Sequence, residues 1–243
     1  MTHARLVQPV AEMPKKRRRA FVASLCGLLL GVGFGVGGSL VVLAAPASPV
    51  SGAEPDGDAW ASLAALRDDL RAASPLAASF TQTYVPSGFS TGDAEAGALY
   101  LDLPRCLRFE YREPFPKNYL LCGDWVYTWN PEEPSGRRFL VDDSEAEGID
   151  LLRLEIEALR GRYRAEFAAM ESDRDVIRLV PVDPVAEISE ASVELTRASN
   201  GPRLAALAYV DRGGNRTRFE ITGYGALETR AAFATPAIEW LDN

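Results

Sequence analysis

Side chains able to do chemistry are sparse in this chain. Its one histidine, His3, lies before a basic and apolar leader, far from anything it could activate. There is no Gly-x-Ser-x-Gly element, and Cys106 and Cys122 have no histidine partner to make either a nucleophilic thiolate. The acids Asp142, Asp143, Glu145, Glu147 and Asp150 lack the spacing and glycine turn of a calcium loop and read as a solvated stretch. Arg160, Arg162 and Arg164 form a small basic cluster, either ordinary surface or a docking patch. No strand end presents an obvious carboxylate pair for hydrolysis, so neither an enzyme, a metal site nor a cofactor is expected. The two cysteines flank a hairpin that turns around Glu113-Pro114-Phe115-Pro116. If Glu110 pairs with Asn118, Cys106 falls opposite Cys122 on the same face. A structural disulfide and two buried thiols both fit that register.

The chemistry that remains is apolar contact, and its density peaks between Ala78 and Pro131. There, short alternating strands carry aromatics on one side. Leu107, Phe109, Tyr111, Tyr119 and Leu121 share a face, and Arg108, Glu110 and Asn118 take the other, as in a sheet with one wet side. The elements that position them follow from periodicity. Trp60, Leu63, Leu66, Leu70 and Ala73 recur at steps of three and four, predicting an amphipathic helix over about Asp58–Ala73, capped by Asp58 and ended by Ser74-Pro75. Strands are predicted at Ala77–Val85, Gly97–Leu103, Cys106–Arg112, Asn118–Cys122, Trp125–Asn130 and Arg137–Val141, with a tight turn at Gly123-Asp124. A second helix is predicted over Ile149–Leu159. Strands resume at Tyr163–Met170, Val176–Pro181, Ala191–Thr196, Leu204–Asp211 and Thr217–Tyr224. Helix, meander, helix, meander implies an α+β fold: one strongly curved antiparallel sheet, an incomplete half-barrel, with helices forming a lid over its concave apolar face.

Upstream, Lys15-Lys16-Arg17-Arg18-Arg19 precedes an apolar, glycine-rich run from Ala20 to Ala47. This reads as a signal peptide over residues 1–47, with a small-residue site at Ala45-Pro46-Ala47; the run is also long enough to serve as an uncleaved inner-membrane anchor. Either way the rest of the chain is exported. Residues 48–57 read as a linker and 58–243 as one domain. Six of the 26 basic and one of the 34 acidic residues precede Ser48, leaving 20 basic and 33 acidic side chains, a net of −13. Such a surface repels nucleic acid, and no nucleic-acid partner is expected.

Phe80-Thr81-Gln82 behind an amphipathic helix, then Gly97-x-Leu99-x-Leu101-x-x-Pro104, Phe109-x-Tyr111-x-x-Pro114 and Asp124-Trp125-Val126-Tyr127-x-Trp129-Asn130-Pro131, resemble the periplasmic outer-membrane lipoprotein carrier family, LolA. The resemblance is specific over about Trp60 to Val141 and architectural from there to Tyr224. It implies a half-barrel closed by a helical lid, with a cavity that receives the acyl chains of lipoproteins. It also implies a monomer that accepts acylated lipoproteins from an inner-membrane ABC exporter and passes them to an outer-membrane acceptor. Many members have an arginine immediately before the proline of the third strand, thought to latch the lid; this chain has Leu103, and Arg105 lies beyond the proline. The extra C-terminal segment of some members has no counterpart after Trp240-Leu241-Asp242-Asn243.

On that resemblance the expected cavity lining is Leu101, Leu107, Phe109, Tyr111, Tyr119, Leu121, Tyr127 and Trp129 from the sheet, with Trp60, Leu63, Leu152 and Ile156 from the lid. The same alternation also describes an ordinary packed core. A membrane-tethered module for another amphiphile, or an envelope sensor resembling RseB on the same scaffold, would use the same face. The sensor proteins have a second domain, for which no room is expected after Tyr224.

Overall fold

A computed structural model describes residues 56–141, 152, 155–171, 173–198 and 201–242. The leader, most of the linker and the acidic stretch Asp142–Asp150 lie outside the described residues, as does the start of the second predicted helix. Helix α1 runs over Asp56–Ala73. It begins two residues before the expected boundary, so Asp58 falls within the helix and not at its N-cap position. Ser74 Oγ donates to the Leu70 carbonyl at 2.7 Å, closing the last turn before Pro75.

Six strands follow: β1 Leu76–Val85, β2 Asp93–Asp102, β3 Cys106–Glu113, β4 Lys117–Cys122, β5 Trp125–Trp129 and β6 Ser135–Leu140. Helix α2, Ile156–Arg162, leads into β7 Tyr163–Met170, β8 Arg174–Pro181, β9 Ile188–Ala198, β10 Gly201–Asp211 and β11 Arg216–Ala226. The chain ends through a short 3-10 turn, Arg230–Phe233, and β12, Glu239–Asp242.

All twelve strands form one sheet in the order β12-β6-β5-β4-β3-β2-β1-β11-β10-β9-β8-β7, leaving β12 and β7 as edges. Neighbouring strands sit about 4.8 Å apart, so β2 and β8 would be roughly 24 Å apart in a flat sheet. Yet Leu103, just after β2, and Leu179 of β8, five strands away in the sheet order, line one cavity of only about 20 Å³. The sheet therefore curls, unclosed, around its apolar face. Helix α1 packs on that face chiefly against β10 and β7, and α2 against β7 and α1. Trp60, Leu63, Leu66 and Leu70, the stripe set by the helical period, are all buried there.

One departure concerns strand pairing. Every pair is antiparallel except β12, which lies parallel to β6, Glu239 opposite Ser135 and Asp242 opposite Arg138. The tail after β11 thus runs across the face opposite α1. On the way Arg230 Nε donates to Asp102 at 2.9 Å, and Arg108 Nη1 donates to the Ala232 carbonyl at 2.7 Å. No alternation announces this strap in the sequence.

Candidate functional site

Registers assign each side chain to a face. Phe109 lies opposite Leu99 and Tyr119, Leu107 opposite Leu101 and Leu121, and Tyr111 opposite Gly97 and Lys117. Phe80 continues the row on β1, opposite Gly97 and Ile221. These side chains share the apolar face on which α1 packs. Leu76, Leu99, Leu101, Leu107 and Leu121 form an aliphatic floor toward one end of the strands. Next to it is an aromatic band. Phe80 packs edge-on against Phe109 and Tyr111, with centroids at 5.3 and 4.9 Å, while Phe219 lies 5.4 Å from Phe109 and Tyr119 5.6 Å from Tyr111. Gly97 permits this band: a Cβ there would stand 2.0 Å from the Glu110 carbonyl and 3.0 Å from the Phe80 ring. Phe109, Tyr119 and Phe219 are only half-buried, so this part of the face remains partly open.

The opposite end of the same face is polar. Lys117 Nζ holds both oxygens of Glu95 at 2.6 and 2.8 Å and stands 4.5 Å from the Tyr111 ring centre. The Tyr111 hydroxyl donates to Gln82 Oε1, and Gln82 is the register partner of Glu95. Read along the strands, the face grades from leucine through aromatic to polar.

Where α1 meets the sheet the packing is tight. A cavity of about 20 Å³, room for roughly one water, is enclosed by Leu63, Leu66, Leu70, Leu103, Leu152 and Leu159, with Leu179, Val193 and Leu204 beneath. Arg67 also lines it, its pKa pulled below the ordinary arginine value first by burial and then by neighbouring Arg71. Leu103 supplies an apolar contact in this cavity, not a charge. Ionic ties come from elsewhere: Asp69 pairs with Arg203 of β10 at 2.8 Å, and Arg71 with Glu155 just before α2. Of the remaining helical candidates, Trp60 is buried with the Arg160 guanidinium 5.6 Å from its ring centre, and Ile156 packs half-buried on the core.

Tyr127 and Trp129 are not on this face. The turn at Gly123-Asp124 places Cys122 opposite Trp125, so Val126 meets Leu121 and Thr128 meets Tyr119 on the apolar face. Tyr127 then faces the other way with Leu120, and Trp129 with Asn118. Both rings pack on Trp240 of the strap, at 5.2 and 6.0 Å, and Arg108 stands 5.1 Å from the Trp129 ring centre. They belong to the seam under the tail. The cysteines are also on that side: Glu110 pairs with Asn118, Cys106 lies opposite Cys122 with Cα atoms 4.3 Å apart, and the two are disulfide-bonded. Asp102 anchors the strap. Burial pushes its carboxyl pKa up, but the Arg105 and Arg230 guanidiniums more than offset this and hold it below the ordinary aspartate value.

No group of three or more His, Cys, Asp or Glu is placed to hold a metal among the described residues. The sequence model of the family described as outer membrane lipoprotein carrier protein LolA matches residues 71–233, about two thirds of the chain. The chain belongs to the LolA family. Among solved structures, a LolA superfamily protein from Nitrosomonas europaea is 12% identical to this LolA-family chain, with a TM-score of 0.41, over 73% of this chain and 98% of that one. A DUF1329 family protein from Desulfovibrio piger is 12% identical with a TM-score of 0.49, over 77% of this chain and 100% of that one. The Pseudomonas aeruginosa MucA/MucB complex gives 12% identity and a TM-score of 0.43, over 74% of this chain and 62% of that one. No curated protein sequence matches the chain. Membership of the LolA family rests on the family model alone.

Proposed function

We propose that this chain is a periplasmic carrier whose apolar face binds the acyl chains of lipoproteins, with α1 and α2 as the movable lid. The observation that carries the reading is the half-open aromatic band of Phe109, Tyr119 and Phe219, continuous with a leucine floor, in a LolA-family chain. Each acyl CH₂ gains about 0.8 kcal/mol on leaving water, so a diacylated anchor does not cross an aqueous space exposed. A carrier must offset most of that gain without exceeding it, or release stalls. Exchange between two apolar partners meets this condition. In the closed state Trp60, Leu63, Leu66 and Leu70 of α1 fill the trough. Acyl chains that displace them replace one apolar contact with another, and the net free energy of loading stays small.

The roughly 20 Å³ left under α1 holds no acyl chain, so loading requires the helix to move. Asp69–Arg203 and Arg71–Glu155 would then be the contacts that break, in place of the family arginine that Leu103 replaces. Residues 1–47 would direct export, with cleavage after Ala47 freeing the carrier to travel between an inner-membrane ABC exporter and an outer-membrane acceptor. The reading is tested by purifying the exported protein from its own cell envelope and analysing co-eluting species by mass spectrometry. Diacylated or triacylated polypeptides are expected. Their absence, with the protein folded, contradicts the reading.

A further inference from the structure

A carrier loaded and unloaded at membranes faces a selection problem. Phospholipid tails are chemically the same as lipoprotein tails and far more abundant, so an apolar trough alone cannot discriminate. The difference lies at the headgroup: a phospholipid carries a phosphate anion, whereas the linker of an N-acylated lipoprotein is an uncharged set of esters, thioether and amide.

The polar end of the apolar face stands where that headgroup would come to rest. On β4 and β11 the apolar-face residues run from aliphatic to aromatic to polar, Leu121, Tyr119, Lys117 and Ile221, Phe219, Thr217, and on β2 they run from Leu101 and Leu99 through Gly97 to Glu95. Tails lying along the strands over the leucines and aromatics leave their linker beside Lys117 and Glu95. These two side chains are only 25% and 16% exposed, so their charges are weakly screened by salt. Glu95 already neutralises Lys117 through two short contacts, and Asp93, two residues nearer the rim on the same face of β2, adds a further negative charge. A phosphate arriving here gains no net cation and is desolvated beside a carboxylate. An uncharged linker meets only hydrogen-bonding groups.

Resting on the carrier reading, we propose that the Lys117–Glu95 pair is a headgroup filter: it admits the uncharged diacylglyceryl linker of a lipoprotein and rejects the phosphate of a phospholipid. Gln82 and Tyr111 hold the pair's surroundings in place, the Tyr111 hydroxyl on Gln82 and the Tyr111 ring under the Lys117 ammonium. Glu95 is the discriminating residue, because without it Lys117 becomes a half-buried cation that has lost its ion-pair partner, and an attractive phosphate site.

The test presents the purified full chain with equal amounts of a synthetic N-acetylated dipalmitoylglyceryl-cysteine peptide, whose linker carries no charge, and dipalmitoyl phosphatidylglycerol in mixed micelles, and quantifies both lipids retained. The wild type should retain the lipopeptide in preference. Glu95→Gln should shift the ratio toward phosphatidylglycerol by about tenfold or more, as expected for exposing one partly buried charge. Glu95→Gln with Lys117→Gln, again uncharged, should restore the wild-type preference, which a merely structural role for Glu95 would not do. An unchanged ratio in Glu95→Gln, or a double variant that stays shifted, overturns the filter. Equal retention of both lipids by the wild type also overturns it while leaving the carrier reading intact. Retention of neither lipid by the wild type contradicts the carrier reading itself.

Discussion

Arg203 of β10 holds Asp69 of α1 with Nη1 and Oδ2 2.8 Å apart, fastening the helix to the sheet one turn before its C-terminus. The two side chains are about a quarter and a third exposed, so the pair stabilises the docked helix by about 1 kcal/mol or less. For the lid proposed above, that is enough to bias it and too little to lock it. Arg203→Ala should leave the global unfolding midpoint nearly unchanged while amide exchange in α1 accelerates relative to β1–β4. Hydrogen-exchange mass spectrometry reads both. Equal acceleration in helix and sheet would mean that the pair supports the whole fold and does not gate α1.

The disulfide closes a loop spanning sixteen positions, for which chain entropy gives a stabilisation of about 3 kcal/mol. Cys106→Ser with Cys122→Ser should lower the urea midpoint accordingly. Because the bridge lies on the face away from the aromatic band, lipid uptake at low denaturant should persist. Loss of uptake in a folded double mutant would show that the two faces are coupled.

Acid should release the strap. Asp102 has a folded-state pKa below its unfolded value, so its contribution is present above the unfolded pKa and is lost as pH falls through the folded one. The transition therefore lies below about pH 4. It is visible as a change in Trp129 and Trp240 fluorescence before the sheet unfolds by far-ultraviolet circular dichroism. Asp102→Asn should loosen the strap at neutral pH and flatten that acid transition. A fluorescence transition unchanged in the mutant would place the acid sensitivity elsewhere.

Trp129 provides the control for the apolar face. Trp129→Ala removes a ring packed on Trp240 and Arg108, and should cost about 3 kcal/mol or more of stability without changing which lipid is retained. A change in the retained lipid would return Trp129 to the lipid-contacting set.

Much of this was legible from residue order. The hairpin register followed from Glu110 facing Asn118, since one pairing fixes every other position in an alternating strand. The α1 stripe followed from the helical period, because burial on one side leaves no other choice of face. The side taken by Tyr127 and Trp129 is also written in the residue order. A two-residue turn at Gly123-Asp124 already forces Cys122 opposite Trp125 and so sends Tyr127 and Trp129 to the far side. An aromatic strand following an aromatic strand is not thereby on the same face. The strap was not legible: β12 is four residues long and pairs with a strand a hundred positions earlier, so neither periodicity nor turn chemistry marks it. Nor did composition reveal that α1 nearly fills its seat, because close packing depends on how side chains interlock in three dimensions.

The most direct measurement is equilibrium uptake of a fluorescent dipalmitoylglyceryl-cysteine peptide by the wild type and by Phe109→Glu, each confirmed folded by circular dichroism. Phe109 is half-buried at the centre of the aromatic band, so a carboxylate there should reach solvent and spare the fold while making the band inhospitable to an acyl chain. Saturable uptake is expected of the wild type and none of a folded Phe109→Glu. Undiminished uptake by that variant would show that acyl chains bind elsewhere.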